Sequence, residues 1–175
     1  SRRQRQMCIR DRADAAQPMP KSDSVWTASS MVLSPGSPVT LTWENGNGLT
    51  FRRQLSINDD YMITVDDSVE SALSAPLTLF PYGLVRRHGT PATTGIYILH
   101  EGALGVFDET LREEDYDDMR DADGGVSEIR PEMPGGWIGF TDKYWLAALL
   151  PEQSANMNFA FKSLAGPLDR YQVDY

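Results

Sequence analysis

From Pro38 onward, apolar and polar positions alternate with a period of two. Val39, Leu41 and Trp43 are separated by Thr40 and Thr42, the spacing of a strand that buries one face. Asn45-Gly46-Asn47-Gly48 follows, residues tolerant of positive φ, and predicts a tight hairpin into a returning strand over Leu49 to Ile57. Asn58-Asp59-Asp60 marks a second turn, after which Tyr61, Ile63 and Val65 alternate with Met62 and Thr64 as a third strand. Asp66-Asp67 and Ser74-Ala75-Pro76 bracket a short stretch over Ser68–Leu73. Leu77-Thr78-Leu79-Phe80 then restores an extended pattern that Pro81 should end.

The second half continues in the same manner. Gly89 to Gly95 reads as loop, and Ile96 to Leu99 and Ala103 to Phe107 as β-branched and aromatic strands. Gly135-Gly136 opens a strand over Trp137 to Phe140, with Thr141-Asp142-Lys143 as the next turn. Tyr144 to Leu150 suits a helical face in part, but it is short, aromatic at its start and stopped by Pro151, so we read a buried strand. Short strands at this spacing predict an all-β fold, an antiparallel sandwich, and 175 residues suffice for one such domain. Residues 13–24, with Pro18 and Pro20 among Ala, Ser and Asp, read as a lead-in. The expected organisation is a non-native or disordered leader and linker over 1–24 and a sandwich domain over 25–175.

Charge separates the two parts. The chain carries a net charge of -9, which repels a polyanion and disfavours nucleic acid as a partner. Its first twelve residues nevertheless hold five arginines against Asp11 alone. They also hold Cys8, the only cysteine, so the remainder offers no disulfide, no cysteine nucleophile and no thiolate metal site. No stretch approaches the roughly 18 apolar residues of a membrane-spanning helix. The sequence does not begin with Met and stops at Asp174-Tyr175, which we read as a piece of something longer.

Catalytic constellations are weak. His88, His100 and Glu101 could serve as acid and base on a bound sugar, but in an extended chain His100 and Glu101 leave opposite faces of the sheet. Two histidines twelve positions apart make a poor zinc site. Asp117, Asp121 and Asp123 do not fit a calcium loop, and Gly135-Gly136-Trp137-Ile138-Gly139 lacks the Lys-Ser/Thr of a phosphate loop. No Gly-x-Ser-x-Gly elbow occurs. No catalytic residue, cofactor or metal ligand is therefore nominated. Between Asp108 and Asp123, nine acidic residues face only Arg112 and Arg120, which predicts an exposed excursion. A solvated surface is the simpler reading. Tyr116 and Met119 among the acids suggest the other, a docking strip for a basic partner formed by Asp115, Tyr116, Asp117, Asp118 and Met119.

A set of strings distributed over about residues 31–154 resembles the large periplasmic domain of the YidC-type membrane protein insertases of Gram-negative bacteria. They run from Ser37-Pro38-Val39-Thr40-Leu41-Thr42-Trp43 with Asn45-Gly46, through Phe51-Arg52-Arg53 and Asp60-Tyr61-Met62, to Pro81-Tyr82-Gly83-Leu84. Arg87-His88-Gly89-Thr90-Pro91, His100-Glu101-Gly102 and Asp115-Tyr116-Asp117-Asp118 continue the series. Gly135-Gly136-Trp137-Ile138-Gly139 and Thr141-Asp142-Lys143-Tyr144-Trp145 close it. The resemblance implies a partial β-supersandwich of the kind found in galactose mutarotases, at the periplasmic face of the bacterial inner membrane. It further implies a non-catalytic accessory role, with Sec translocon accessory subunits and nascent membrane proteins as partners around His88 to Arg130. Membrane attachment would come only through segments absent from this chain. The rival class is a carbohydrate-binding or mutarotase-like enzyme using His88, His100 and Glu101, because one fold serves many activities.

Overall fold

A computed structural model describes residues 3–11, 17–92 and 99–175 of the chain. The strand expected at Ile96 to Leu99 lies largely outside the described residues. Within the stretch read as a leader, Arg3–Asp11 runs as a strand, β1; just after it, Thr27–Ala28 forms the two-residue β2. Among the described residues, eight more strands and one short α-helix lie between β3 (Val39–Glu44) and β12 (Phe159–Leu164), and β13 (Arg170–Asp174) follows. The all-β expectation holds, with every pairing described antiparallel.

The chain divides into two compact units, Ile9–Phe80 and the combination of Ser1–Cys8 with Pro81–Tyr175. The first is a four-stranded sheet, ordered β2-β3-β4-β5, with β4 at Leu49–Ile57 and β5 at Ile63–Ser71. Its first hairpin forms as the sequence predicts. The Asn45 side-chain oxygen accepts from the Asn47 and Leu49 amides at 2.7 and 3.0 Å, while Gly46 and Gly48 take positive φ. At the second turn the Asn58 side chain accepts from Asp60 and Met62. Registers of Trp43 opposite Phe51 and Phe51 opposite Val69 put the apolar residues on one face. There Trp43 packs at 5.5 Å from Phe51 and 6.4 Å from Trp26, and Arg53 stands 6.0 Å above the Trp26 ring.

Asp66-Asp67 does not turn, contrary to the expectation. β5 runs straight through both, because Asp67 faces Arg53 of β4 and accepts two hydrogen bonds from its guanidinium at 2.7 and 2.8 Å.

The second unit is a sandwich of two sheets. One has the order β1-β6-β13-β12-β9, with β6 at Leu79–His88 and β9 at Val126–Ile129. The other has the order β11-β10-β7-β8, with β7 at Gly102–Phe107, β8 at Thr110–Asp115, β10 at Trp137–Asp142 and β11 at Trp145–Leu149. Between them Val85, Phe107, Phe140, Phe161, Tyr171 and Val173 form a buried core, in which Phe107 packs 4.8 Å from Phe159.

Several boundaries depart from the sequence reading. Pro81 does not end its strand. It precedes Gly83 and Leu84, where pairing with the last strand begins, so its missing N–H removes no bond of that ladder. Thr141 and Asp142 belong to β10, and the turn is Lys143-Tyr144 alone. β11 is an edge strand rather than a buried one. Ala147 is buried, but Trp145 and Leu146 are 70% and 57% exposed. The acidic stretch is not an excursion either: β8 pairs with β7 through an Asp108-Glu109 turn with φ of 50° and 59°, and a helix follows.

Candidate partner-binding surface

The helix α1, Tyr116–Asp121, carries most of the predicted docking strip. Asp115 is its N-cap. Its carboxylate accepts from the Asp117 and Asp118 amides, both at 2.8 Å, and the Asp118 carboxylate accepts from the Asp115 amide at 3.4 Å. The acids that made this segment look like loop are what start the helix. Carboxylates at its N-terminal end also complement the unsatisfied amides there.

Tyr116 and Met119, one helical turn apart, point inward and are 3% and 1% exposed. The expectation that they anchor a surface partner is corrected: they hold α1 onto the sandwich. The Tyr116 ring stacks 6.4 Å from Phe140 and meets Tyr171 edge-on at 4.7 Å. Arg87, from β6, stands 5.9 Å over the same ring and forms an ion pair with Asp142 of β10. The Tyr116 hydroxyl donates to Asp142 at 3.4 Å. Arg120 donates to the Tyr171 hydroxyl at 2.6 Å and pairs with Asp117, and that hydroxyl also bonds Thr90 at 2.7 Å. The Tyr171 hydroxyl, aided by Asp117 and Asp169, raises the Arg120 pKa above the ordinary arginine value.

Outward, α1 presents Asp117, whose side chain is 77% exposed, with Asp118 and Asp121. The arrangement can offer negative charge to a basic surface from a helix whose inner side is fixed. Sequence reasoning missed the ring of Arg87, Arg120, Asp142 and Tyr171 beneath it. Its members come from β6, α1, β10 and β13, and no local spacing joins them.

The acid–base candidates are not assembled. His88 lies on β6 next to inward-facing Arg87, on the opposite face of the sheet, whereas His100 lies just before β7 and its Nε2 is 2.9 Å from the Ala103 carbonyl oxygen. Among the described residues there is no group of three or more His, Cys, Asp or Glu placed to hold a metal ion. No helix among them is long and apolar enough to cross a membrane.

In class, the molecule is an antiparallel β-sandwich domain with an acidic capped helix on one sheet. The chain belongs to the YidC periplasmic domain family, whose model matches residues 6–175. It is 43% identical over 163 residues to the membrane protein insertase YidC of Beijerinckia indica, an alignment covering 93% of this chain and 27% of the relative. The insertase YidC of Methylobacterium nodulans is 48% identical over 152 residues, covering 83% of this chain and 25% of that protein. That of Dinoroseobacter shibae is 41% identical over 162 residues, covering 89% and 27%. The chain thus spans about a quarter of the length of the curated relatives it matches. Membership places the domain on the periplasmic side of the inner membrane.

Proposed function

We propose that this is a non-catalytic accessory domain of a membrane protein insertase, a scaffold and docking module that supports membrane protein insertion and folding. Its partners on this reading are Sec translocon accessory subunits and nascent membrane proteins, met in part through the outward carboxylates of the strip, Asp117 and Asp118. The observation that supports it is α1 itself. Two buried side chains and a capping box fix the helix, and its acids project from a rigid base, which lowers the ordering cost of binding a basic surface.

The experiment is charge reversal in the full-length insertase that carries this domain. Asp117→Lys with Asp118→Lys is expected to reduce recovery of translocon accessory subunits in pull-downs from solubilised membranes several-fold. The pair also removes the Asp118 half of the capping box and the Asp117–Arg120 contact, so the isolated domain should melt somewhat below the parent, and recovery is compared at a temperature where both are folded. Unchanged recovery would return the acids to the role of a solvated face.

A further inference from the structure

The sheet β11-β10-β7-β8 faces the core with one side only. Ala103, Phe107, Ile138, Phe140 and Ala147 point inward, so the residues between them point away. At those outward positions stand Leu104, Val106, Leu111, Trp137, Leu146 and Ala148. An outward face of an antiparallel sheet is ordinarily polar; this one is not. The registers place its apolar members side by side: Trp137 opposite Val106, Val106 opposite Leu111, and Gly139 between Leu104 and Ala148. A Cβ on Gly139 would fall 2.5 Å from the Ala147 carbonyl oxygen, so no side chain can rise there and the middle of the face stays low. Leu111 and Leu146, on the two outer strands, are 54% and 57% exposed.

The charges on this face are one-sided. Among its strand positions only Glu113 and Asp115 are charged, both are acidic, and both lie on β8. Asp115 is engaged in capping α1, while Glu113 is exposed and makes no ion pair among the described residues. α1 continues this acidic margin with Asp117 and Asp118.

We propose that this outward face docks an amphipathic helix, apolar along one side and bearing Lys or Arg on the margin that lies over β8. The proposal rests on the docking reading above and names the chemistry of the partner. A helix about 10 Å across covers two strands spaced about 4.8 Å apart, here β10 and β7, and so brings its margin over the third. Charge decides against a second copy and against a lipid surface. A second copy of a chain of net charge -9 would set acidic margins against each other, and an anionic lipid surface would be repelled.

The test uses the 175-residue chain and two labelled helical peptides of about 18 residues, Leu on one face with either Lys or Glu margins, followed by fluorescence anisotropy at low and high salt. The Lys-margined peptide should bind and the Glu-margined one should not. Glu113→Lys should weaken binding several-fold. Leu111→Glu with Leu146→Glu should weaken it at least about tenfold. The double variant adds negative charge, so attraction by charge alone would make it bind more tightly. That result would overturn the proposal, as would equal binding of the two peptides. So would a dimer of the chain that the double variant dissolves, or adsorption of the chain to phosphatidylglycerol vesicles. Glu113→Lys changes one exposed strand residue and keeps the test decisive if the double variant fails to fold. Unchanged co-purification on charge reversal with intact peptide discrimination would remove the translocon assignment and leave this face; reduced co-purification without peptide discrimination would remove the face and leave the assignment.

Discussion

Arg87 is 6% exposed, and its charge is balanced by Asp142 and the face of Tyr116. Its Nε has no hydrogen-bond partner, so the site is satisfied in charge but not in every donor. Removing one member of a buried pair leaves the other charge desolvated and unbalanced, which costs more than the pair itself contributes. Asp142→Ala is therefore expected to destabilise by about 3–5 kcal/mol in denaturant melts, while Arg87→Met combined with Asp142→Leu, which removes both buried charges, should cost clearly less. Equal losses would show that Asp142 contributes packing rather than charge balance. Tyr61 poses the opposite case. It is 85% exposed at a φ of 60°, a left-handed conformation unfavourable for a bulky side chain, and no burial of its ring offsets it. Tyr61→Asn should leave stability unchanged or raise it by up to about 1 kcal/mol. A clear loss of melting temperature would mean that the ring has a contact in solution.

Among the elements, the pairing of β4 with β5 shows how a polar face is held in register. Arg52 donates to Glu70 at 3.1 and 2.9 Å, on the face opposite the apolar one. The hydrogen bond from Arg52, and then its charge, lowers the Glu70 pKa below the ordinary carboxylate value. With the folded pKa depressed, the stabilisation is present above the unfolded carboxylate pKa and is lost as pH falls through the folded one. Arg52 is raised by the same contacts and stays charged throughout. Both side chains are largely exposed, so the effect is small and salt-sensitive. A melting-temperature difference between the parent and Glu70→Gln is expected at neutral pH and should vanish as pH falls through the depressed folded pKa of Glu70. A difference that persists in acid would assign the effect to packing.

For the whole molecule, the division at Phe80 and Pro81 separates a single sheet from a two-sheet sandwich. In the sandwich two buried titratable groups, Arg87 and Tyr171, are engaged by Asp142 and by Arg120. His88 and His100 lie on different sheets or their margins. Aldose mutarotation in the presence of the purified chain should proceed at the rate of buffer alone. An enhanced rate abolished by His100→Ala would reinstate the enzyme reading.

The local features were legible because a single residue and its neighbours decide them. Asn45 and Asn58 close their turns with their own side chains, and the alternation of Val39, Leu41 and Trp43 with threonine needs only the pleat of one strand. The same local logic misled at Asp66-Asp67, where a turn-like dipeptide is kept extended by Arg53 across the sheet. At Asp115 to Asp118 it read acids as loop where they cap a helix. Tyr116 and Met119 carried no mark of their direction, because an amphipathic side chain serves equally as surface anchor or as core. Period and turn chemistry thus determined most of the strands and their antiparallel class, while the distributed strings carried the resemblance to the family. Which acids meet an arginine, which sheet face is covered and which strand is an edge were decided only when residues far apart in the chain came together, since burial and ion pairing depend on partners that no local window contains.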